Sequence, residues 1–208
     1  MMQLHITLGS PYARIARIMV LEKRLERRVE IVEAQTRSVD SPYYRVNPSG
    51  RVPFLVRGDG AGLEESSVIC RYLDHLDGKP EFDLPAGNEA GGAVWEALRI
   101  GALATSLLDG LSVWLREVRR PVHEQSQEII RHETDRATRL IGHWETEIEH
   151  PAMRGTLTLA QITLACALGL ETRNRDFRWR EGHPRLCAWF EHMAARPSMA
   201  RTAPPAST

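Results

Sequence analysis

The chain has 208 residues, 42% of them apolar and 26% charged, a soluble globular composition with enough apolar material for a substantial core. Its 27 Lys and Arg balance 27 Asp and Glu. A nucleic-acid binder ordinarily carries a basic excess, so nucleic acid is not an expected partner. No unbroken apolar run approaches the ~20 residues of a bilayer span, and Arg14 and Arg17 interrupt the N-terminal stretch, so neither a membrane nor secretion is expected.

Three cysteines, Cys70, Cys166 and Cys187, lie far apart with no CxxC, and the eight histidines form no HExxH. This argues against a disulfide framework and against a metal site. Each cysteine lies in an apolar helical context, where it serves as a small hydrophobe.

Residues 1–77 alternate strand and helix patterns. Leu4, Ile6 and Leu8 alternate with His5 and Thr7, the period of a strand. Gly9-Ser10-Pro11 follows: Ser10 suits a helix N-cap and Pro11 the first helical position. Ile15, Ile18, Leu21 and Leu25 recur at spacings of 3, 3 and 4, predicting an amphipathic helix, and Val29, Ile31 and Val32 predict a second strand. These two strands should run parallel through a right-handed crossover. Ser41-Pro42 opens a short helix that Asn47-Pro48-Ser49-Gly50 closes. Residues 52–56 read as a strand; Pro53 lacks a ladder donor and belongs at an edge, a bulge or a strand start. Gly58-Asp59-Gly60 predicts a hairpin turn into a short strand near Leu63. Glu65-Ser66-Ser67 opens a helix with Ile69, Tyr72, Leu73 and Leu76 on one face.

Residues 78–92, rich in Gly and Pro, read as a linker. From 93 to 208 the pattern is helical only. Leu108, Leu111, Leu115 and Val118 mark one helix. Pro121 opens a second, carrying Ile130, Ala137, Ile141, Trp144 and Ile148, and Pro151 ends it. Residues 158–170 are apolar almost all round, as in the centre of a bundle. Leu186, Trp189, Phe190 and Met193 mark a further helix, and the last residues, 202–208, read as a poorly ordered tail. The five tryptophans read as core or interface anchors.

The order β-α-β-α-β-β-α, with a proline at the start of the third strand, is a thioredoxin-like arrangement. Ser10-Pro11-Tyr12-Ala13-Arg14, then Asn47-Pro48-Ser49-Gly50-Arg51-Val52-Pro53, then Glu65-Ser66 come in order and at fitting intervals. Together with the helical second half, they resemble the glutathione S-transferase superfamily. The ending Arg201-Thr202-Ala203-Pro204-Pro205 resembles its bacterial YibF-like branch. The resemblance implies an α/β thioredoxin-like domain (1–77) that binds glutathione, a linker (78–92) and an all-helical domain (93–208). It also implies a cytoplasmic homodimer engaged in detoxification, with glutathione as co-substrate, an unidentified small electrophile or peroxide as second substrate, and no metal. Where the family's buried helix often begins S/T-x-x-Asp, this chain has Thr158-Leu159-Ala160-Gln161. Gln still suits a capping box, and Leu157 with Ile162 can form a hydrophobic staple.

On this resemblance Ser10 is the residue that activates the glutathione thiol, whose ordinary pKa is about 8.5. A hydroxyl at a helix start can donate to sulfur where the dipole also favours negative charge; locally, Ser10 reads equally as a plain N-cap. Arg14 and Arg17 could add positive potential, and Tyr12 reads as a packing residue. The slot of a dithiol motif holds Ser10-Pro11-Tyr12-Ala13, so dithiol exchange is excluded. Val52-Pro53 suggests a cis peptide whose Val52 backbone pairs with the cysteinyl unit; the other reading is a trans proline on an edge strand. Arg51 either holds the glycyl carboxylate or is an exposed loop residue. Glu65 and Ser66 either hold the γ-glutamyl amine and carboxylate, or are a solvated charge and a cap. Leu107, Leu111 and Trp114 stand near an expected apolar pocket for the second substrate. The alternative function is a non-catalytic glutathione-binding or interaction module on the same fold.

Overall fold

The computed structural model describes residues 1–82 and 92–205; the expected linker lies largely outside the described residues. One compact unit takes in residues up to 82 together with Pro197–Pro205, and a second takes in the described residues from 92 to 196.

The first unit runs β1 (Met2–Ile6), α1 (Pro11–Glu22), β2 (Val29–Glu33), β3 (Phe54–Val56), β4 (Gly62–Glu64) and α2 (Ser66–His75). The sheet order is β2-β1-β3-β4. β2 is parallel to β1, and β3 and β4 are antiparallel to their neighbours, the thioredoxin-like arrangement expected. Leu4, Ile6 and Leu55 are buried in the sheet, under Ile15, Ile18 and Met19 of α1 and Ile69 and Leu73 of α2. The expected helix at Pro42 is only a four-residue 3-10 turn, Pro42–Arg45, capped by Ser41 and followed at once by Asn47-Pro48. Without helical propagation there, the long β2–β3 connection depends on side-chain hydrogen bonds.

Two features tie the far side of this unit together. Lys23 and Asp74, with side chains 3% and 1% exposed, form an ion pair at 3.3 Å. Lys23 also meets Asp77, and Asp74 accepts the Glu81 and Phe82 N–H groups at 3.0 Å each. Burial alone would lower the Lys23 pKa, but the hydrogen bonds and charges of Asp77 and Asp74 raise it above its ordinary value.

The second unit comprises α3 (Gly92–Glu117), α4 (Gln127–Glu147), α5 (Leu159–Leu168) and α6 (Pro184–Ala194). α5 is buried on every side and packs against α3 and α6. α3 and α4 approach closely at Gly110, where a Cβ would stand 2.6 Å from Glu133 Oε2. Pro121 does not open the second long helix. It precedes a 3-10 turn, Val122–Glu124, and Ser126 caps α4 by accepting from the Ile129 N–H. Pro151 likewise opens a 3-10 turn after α4 has ended. The helix Val94–Glu117 has no unbroken apolar run as long as a bilayer span but is by overall length and composition apolar enough to cross a membrane; half of its most apolar window is buried within the protein.

Thr158 caps α5, its Oγ1 accepting from the Gln161 N–H at 3.3 Å. Gln161 does not complete a capping box. Its Nε2 instead donates to the Ala152 and Thr156 carbonyls at 3.1 and 3.2 Å, fastening the preceding loop. Leu157 and Ile162 are both buried, as a staple requires. Trp114, Trp144 and Trp179 are buried, whereas Trp95 is 66% exposed and anchors no core.

After α6 the chain returns to the first unit as a five-residue helix, α7 (Pro197–Arg201). The helical domain therefore does not run unbroken to 208. Arg14 Nη2 donates to the Met199 carbonyl at 3.1 Å, Arg17 Nη1 donates to the Thr202 carbonyl at 3.4 Å, and Ser198 donates to Glu22. Cationic donors suit the last carbonyls of a helix, which have no intrahelical N–H partner.

Two stability tests follow from these contacts. Asp74→Ala leaves a buried ammonium short of a partner and should cost about 3–5 kcal/mol in denaturant unfolding. Because the folded Lys23 pKa is raised, the pair's contribution is complete below the unfolded value of 10.5 and is lost as pH climbs through the higher folded value, so the gap between wild type and Asp74→Ala should narrow only at strongly alkaline pH, leaving the part due to the Glu81 and Phe82 N–H bonds. Thr158→Ala removes an N-cap and should cost about 0.5–2 kcal/mol by the same measurement.

Candidate functional site

Strand register gathers the sequence-predicted residues at one edge of the first unit. His5 of β1 pairs with Phe54 of β3, and Phe54 pairs with Glu64 of β4. The carboxyl end of β1, the start of β3 and the end of β4 therefore lie side by side. The segments leaving them carry Ser10, Arg51-Val52-Pro53 and Glu65-Ser66, and the N-termini of α1 and α2 open at the same edge. In open α/β sheets ligands bind outside the carboxyl ends of the strands.

Ser10 is the N-cap of α1, half-buried, its Oγ accepting from the Ala13 N–H at 3.2 Å. Both readings of this residue survive: the cap uses an oxygen lone pair, and the hydroxyl proton is left to donate. Arg14 and Arg17 direct guanidinium donors to the carbonyls of Met199 and Thr202; their charge remains. Burial first, and then the Arg14 charge, push the Arg17 pKa below its ordinary value.

The Val52–Pro53 peptide is cis. Pro53 is buried just before β3 begins, Val52 is half-buried and Arg51 is exposed. The preceding Arg51–Val52 peptide is held by two residues not anticipated from the sequence. Tyr43 donates its hydroxyl to the Arg51 carbonyl at 2.5 Å, and Asn47 donates Nδ2 to the same oxygen at 3.0 Å. Burial raises the Tyr43 pKa, so the hydroxyl stays protonated and donating. The signal for Asn47 was present in the loop chemistry of Asn47-Pro48-Ser49-Gly50, since Asx residues bond neighbouring backbone; nothing local singled out Tyr43.

Glu65, not Ser66, occupies the N-cap position of α2, with φ 73° and ψ 123° and no side-chain cap bond. Ser66 is the first helical residue. The reading of Ser66 as a cap is therefore set aside, and among the described residues neither the exposed Glu65 carboxylate nor the Ser66 hydroxyl has a hydrogen-bonding or ionic partner. Leu107, Leu111 and Trp114, expected near a substrate pocket, are 1, 2 and 3% exposed, which makes them core rather than open wall. Cys70 and Cys166 are buried. Cys187 is half-buried, and burial raises its thiol pKa, opposite to what a nucleophile needs. No group of potential metal ligands occurs among the described residues.

Comparison with known proteins agrees with this geometry. A family description, "Glutathione S-transferase, N-terminal domain", matches residues 9–76. The GST-like protein YibF of Escherichia coli (strain K12) is 30% identical over 201 residues, covering 94% of this chain and 95% of that one. A glutathione transferase family member from Pseudomonas fluorescens Pf-5, solved with bound glutathione, superposes with a TM-score of 0.85 at 32% identity, covering 99% of this chain and 100% of that one. A glutathione S-transferase from Methylobacillus flagellatus KT, solved with glutathione bound, gives 0.86 at 30% identity with the same coverage. The loop edge, the helical second unit and this likeness over nearly the whole length agree: the chain belongs to the glutathione S-transferase family.

Proposed function

We propose that the chain binds glutathione along the loop edge of the first unit and activates its thiol for attack on an electrophilic or peroxide substrate. The observation that carries this reading is the backbone at Glu65. A bulky residue at φ 73° and ψ 123° lies outside the regions open to L side chains. Strain of this kind costs on the order of 1–3 kcal/mol and gathers at ligand clamps. Here it leaves a carboxylate, a hydroxyl and a helix N-terminus together at one corner. The γ-glutamyl end of glutathione carries an amine and a carboxylate on a single carbon and needs that combination. Glu65 takes the amine; Ser66 and the first-turn N–H groups of α2 take the carboxylate. The Val52 backbone pairs with the extended cysteinyl unit, and Arg51 meets the glycyl carboxylate. Two resolved relatives, those from Pseudomonas fluorescens and Methylobacillus flagellatus, hold glutathione, which supports the same ligand here.

Ser10 then donates its remaining proton to sulfur at the positive end of α1. The hydroxyl and the helix dipole are the groups at the start of α1 that suit this task. The second reading is a glutathione-binding module without turnover, in which Ser10 serves the α1 cap alone. The family resemblance extends the proposal to a cytoplasmic homodimer, and sedimentation equilibrium tests the dimer.

Thiolate absorbance against pH separates the two readings. Wild type should hold bound glutathione as thiolate below its ordinary pKa of about 8.5, and Ser10→Ala should bind glutathione but hold less thiolate. No lowered pKa in wild type supports the module, and an equal thiolate fraction in the variant assigns the work to the helix dipole or an arginine. The γ-glutamyl assignment is tested by thermal unfolding. Glutathione at about 100 times Kd should stabilise the wild type by roughly 2.7 kcal/mol, a rise in Tm on the order of 5–10 °C. Glu65→Gln and Ser66→Ala should lose most of that rise while unfolding nearly normally without ligand; retention of the full rise by both would remove this pair from the site.

A further inference from the structure

The two loops assigned to opposite parts of glutathione are wired to each other. The Ser49 hydroxyl donates to the Glu64 carboxylate. The same hydroxyl oxygen accepts the Arg51 N–H at 3.2 Å, and the Ser49 N–H donates to Asn47 Oδ1 at 3.1 Å. Asn47 in turn donates to the Arg51 carbonyl at 3.0 Å. The N–H of Arg51 is thus held by Ser49 and its C=O by Asn47 and Tyr43, and the Ser49 side chain links this loop to Glu64 at the end of β4. Arg51 is the residue before Val52, and Glu64 is the residue before Glu65.

We propose that Ser49 and Glu64 are positioning residues that fix the distance between the cysteinyl-binding backbone at Val52 and the γ-glutamyl pair at Glu65 and Ser66. This rests on the glutathione reading given above. A tripeptide held at both ends gains affinity when the two ends of its site are already at the right separation, since less ordering is left for binding to supply. β3 and β4 are only three residues each, so their ladder leaves the flanking loops free to splay. A hydroxyl–carboxylate bond is charge-assisted and stronger than a neutral one. Ser49 is exposed and Glu64 half-buried, so the bond is partly hydrated and its removal should leave the fold standing. The link also commits Glu64 to the scaffold, which leaves its neighbour Glu65 as the carboxylate for the ligand.

The test is calorimetric titration of glutathione into wild type, Ser49→Ala, Glu64→Ala, the double variant and Ser49→Thr, with the ligand-free Tm of each measured alongside. Both single variants should weaken Kd by about 3- to 10-fold with ligand-free Tm nearly unchanged. The double variant should be no weaker than the worse single variant, because the two side chains act through one bond. Ser49→Thr keeps the hydroxyl and should bind within about twofold of wild type. Wild-type Kd in both single variants, or fold-losses that multiply in the double variant, would overturn the positioning role while leaving the glutathione reading intact. Failure of wild type itself to bind glutathione would overturn that reading and this one with it.

Discussion

The pairing of Leu4 with Leu55 governs what stands at the loop edge. These two side chains are buried, and Leu55 in turn pairs with Leu63. Strand side chains alternate between faces, so a slip of one residue would carry Leu55 out of the core and bring Phe54 or Val56 in. The core resists that slip. Holding Leu55 against Leu4 also holds Phe54 between His5 and Glu64, and that placement sets Val52 beside the end of β4. The location of the polar groups at the edge is therefore a consequence of apolar packing one residue away.

The sheet does not hold the edge unaided. Its third and fourth strands are short, and the connection from β2 to β3 has only a 3-10 turn of regular structure. Tyr43, Asn47 and Ser49 replace the missing ladder with side-chain bonds. At Gly50, with φ 66°, a Cβ would stand 2.7 Å from the Tyr44 ring, so the turn there is shaped for glycine alone. α7 closes the other side of α1. Its carbonyl at Met199, and that of Thr202 just after it, receive the Arg14 and Arg17 guanidinium groups.

Elements with a strong local pattern were legible in the sequence. The strand around Leu4, the Ser10-Pro11 cap and the all-apolar stretch after Thr158 appear where expected, although the strand stops at Ile6, short of the exposed Leu8, and buries His5 as well. Pro121 misled, since proline tolerates both the first turn of an α-helix and a 3-10 turn, and Ser126 supplies the better cap five residues later. The return of α7 to the first unit was not legible. Its contacts with α1 span more than 170 residues and depend on arginines whose partners are backbone carbonyls, which carry no sequence signature. Tyr43 was hidden for the same reason. Ser10, Val52-Pro53 and Glu65-Ser66 were recognisable only as motifs taken together. What each contributes in geometry, above all that Glu65 and not Ser66 holds the N-cap position, depends on a backbone angle that residue identity does not reveal.

That angle has a physical origin. β4 ends at Glu64, paired with Phe54, and α2 begins at Ser66. The change from strand to helix is therefore made at a single residue. On one side Glu64 is held by its ladder and by Ser49; on the other the Glu65 carbonyl already accepts the Ile69 N–H at 2.9 Å as the first bond of the helix. Strained backbone persists only where its surroundings over-determine it, and these two anchors do so. A glycine would relieve the strain but would remove the carboxylate. The glutamate keeps that charge beside the Ser66 hydroxyl, at the end of the helix whose dipole attracts anions. One carboxylate of the Glu64-Glu65 pair is given to the scaffold and the other is left to the solvent side. Neighbours in sequence can divide in this way because the unfavourable turn lies between their side chains.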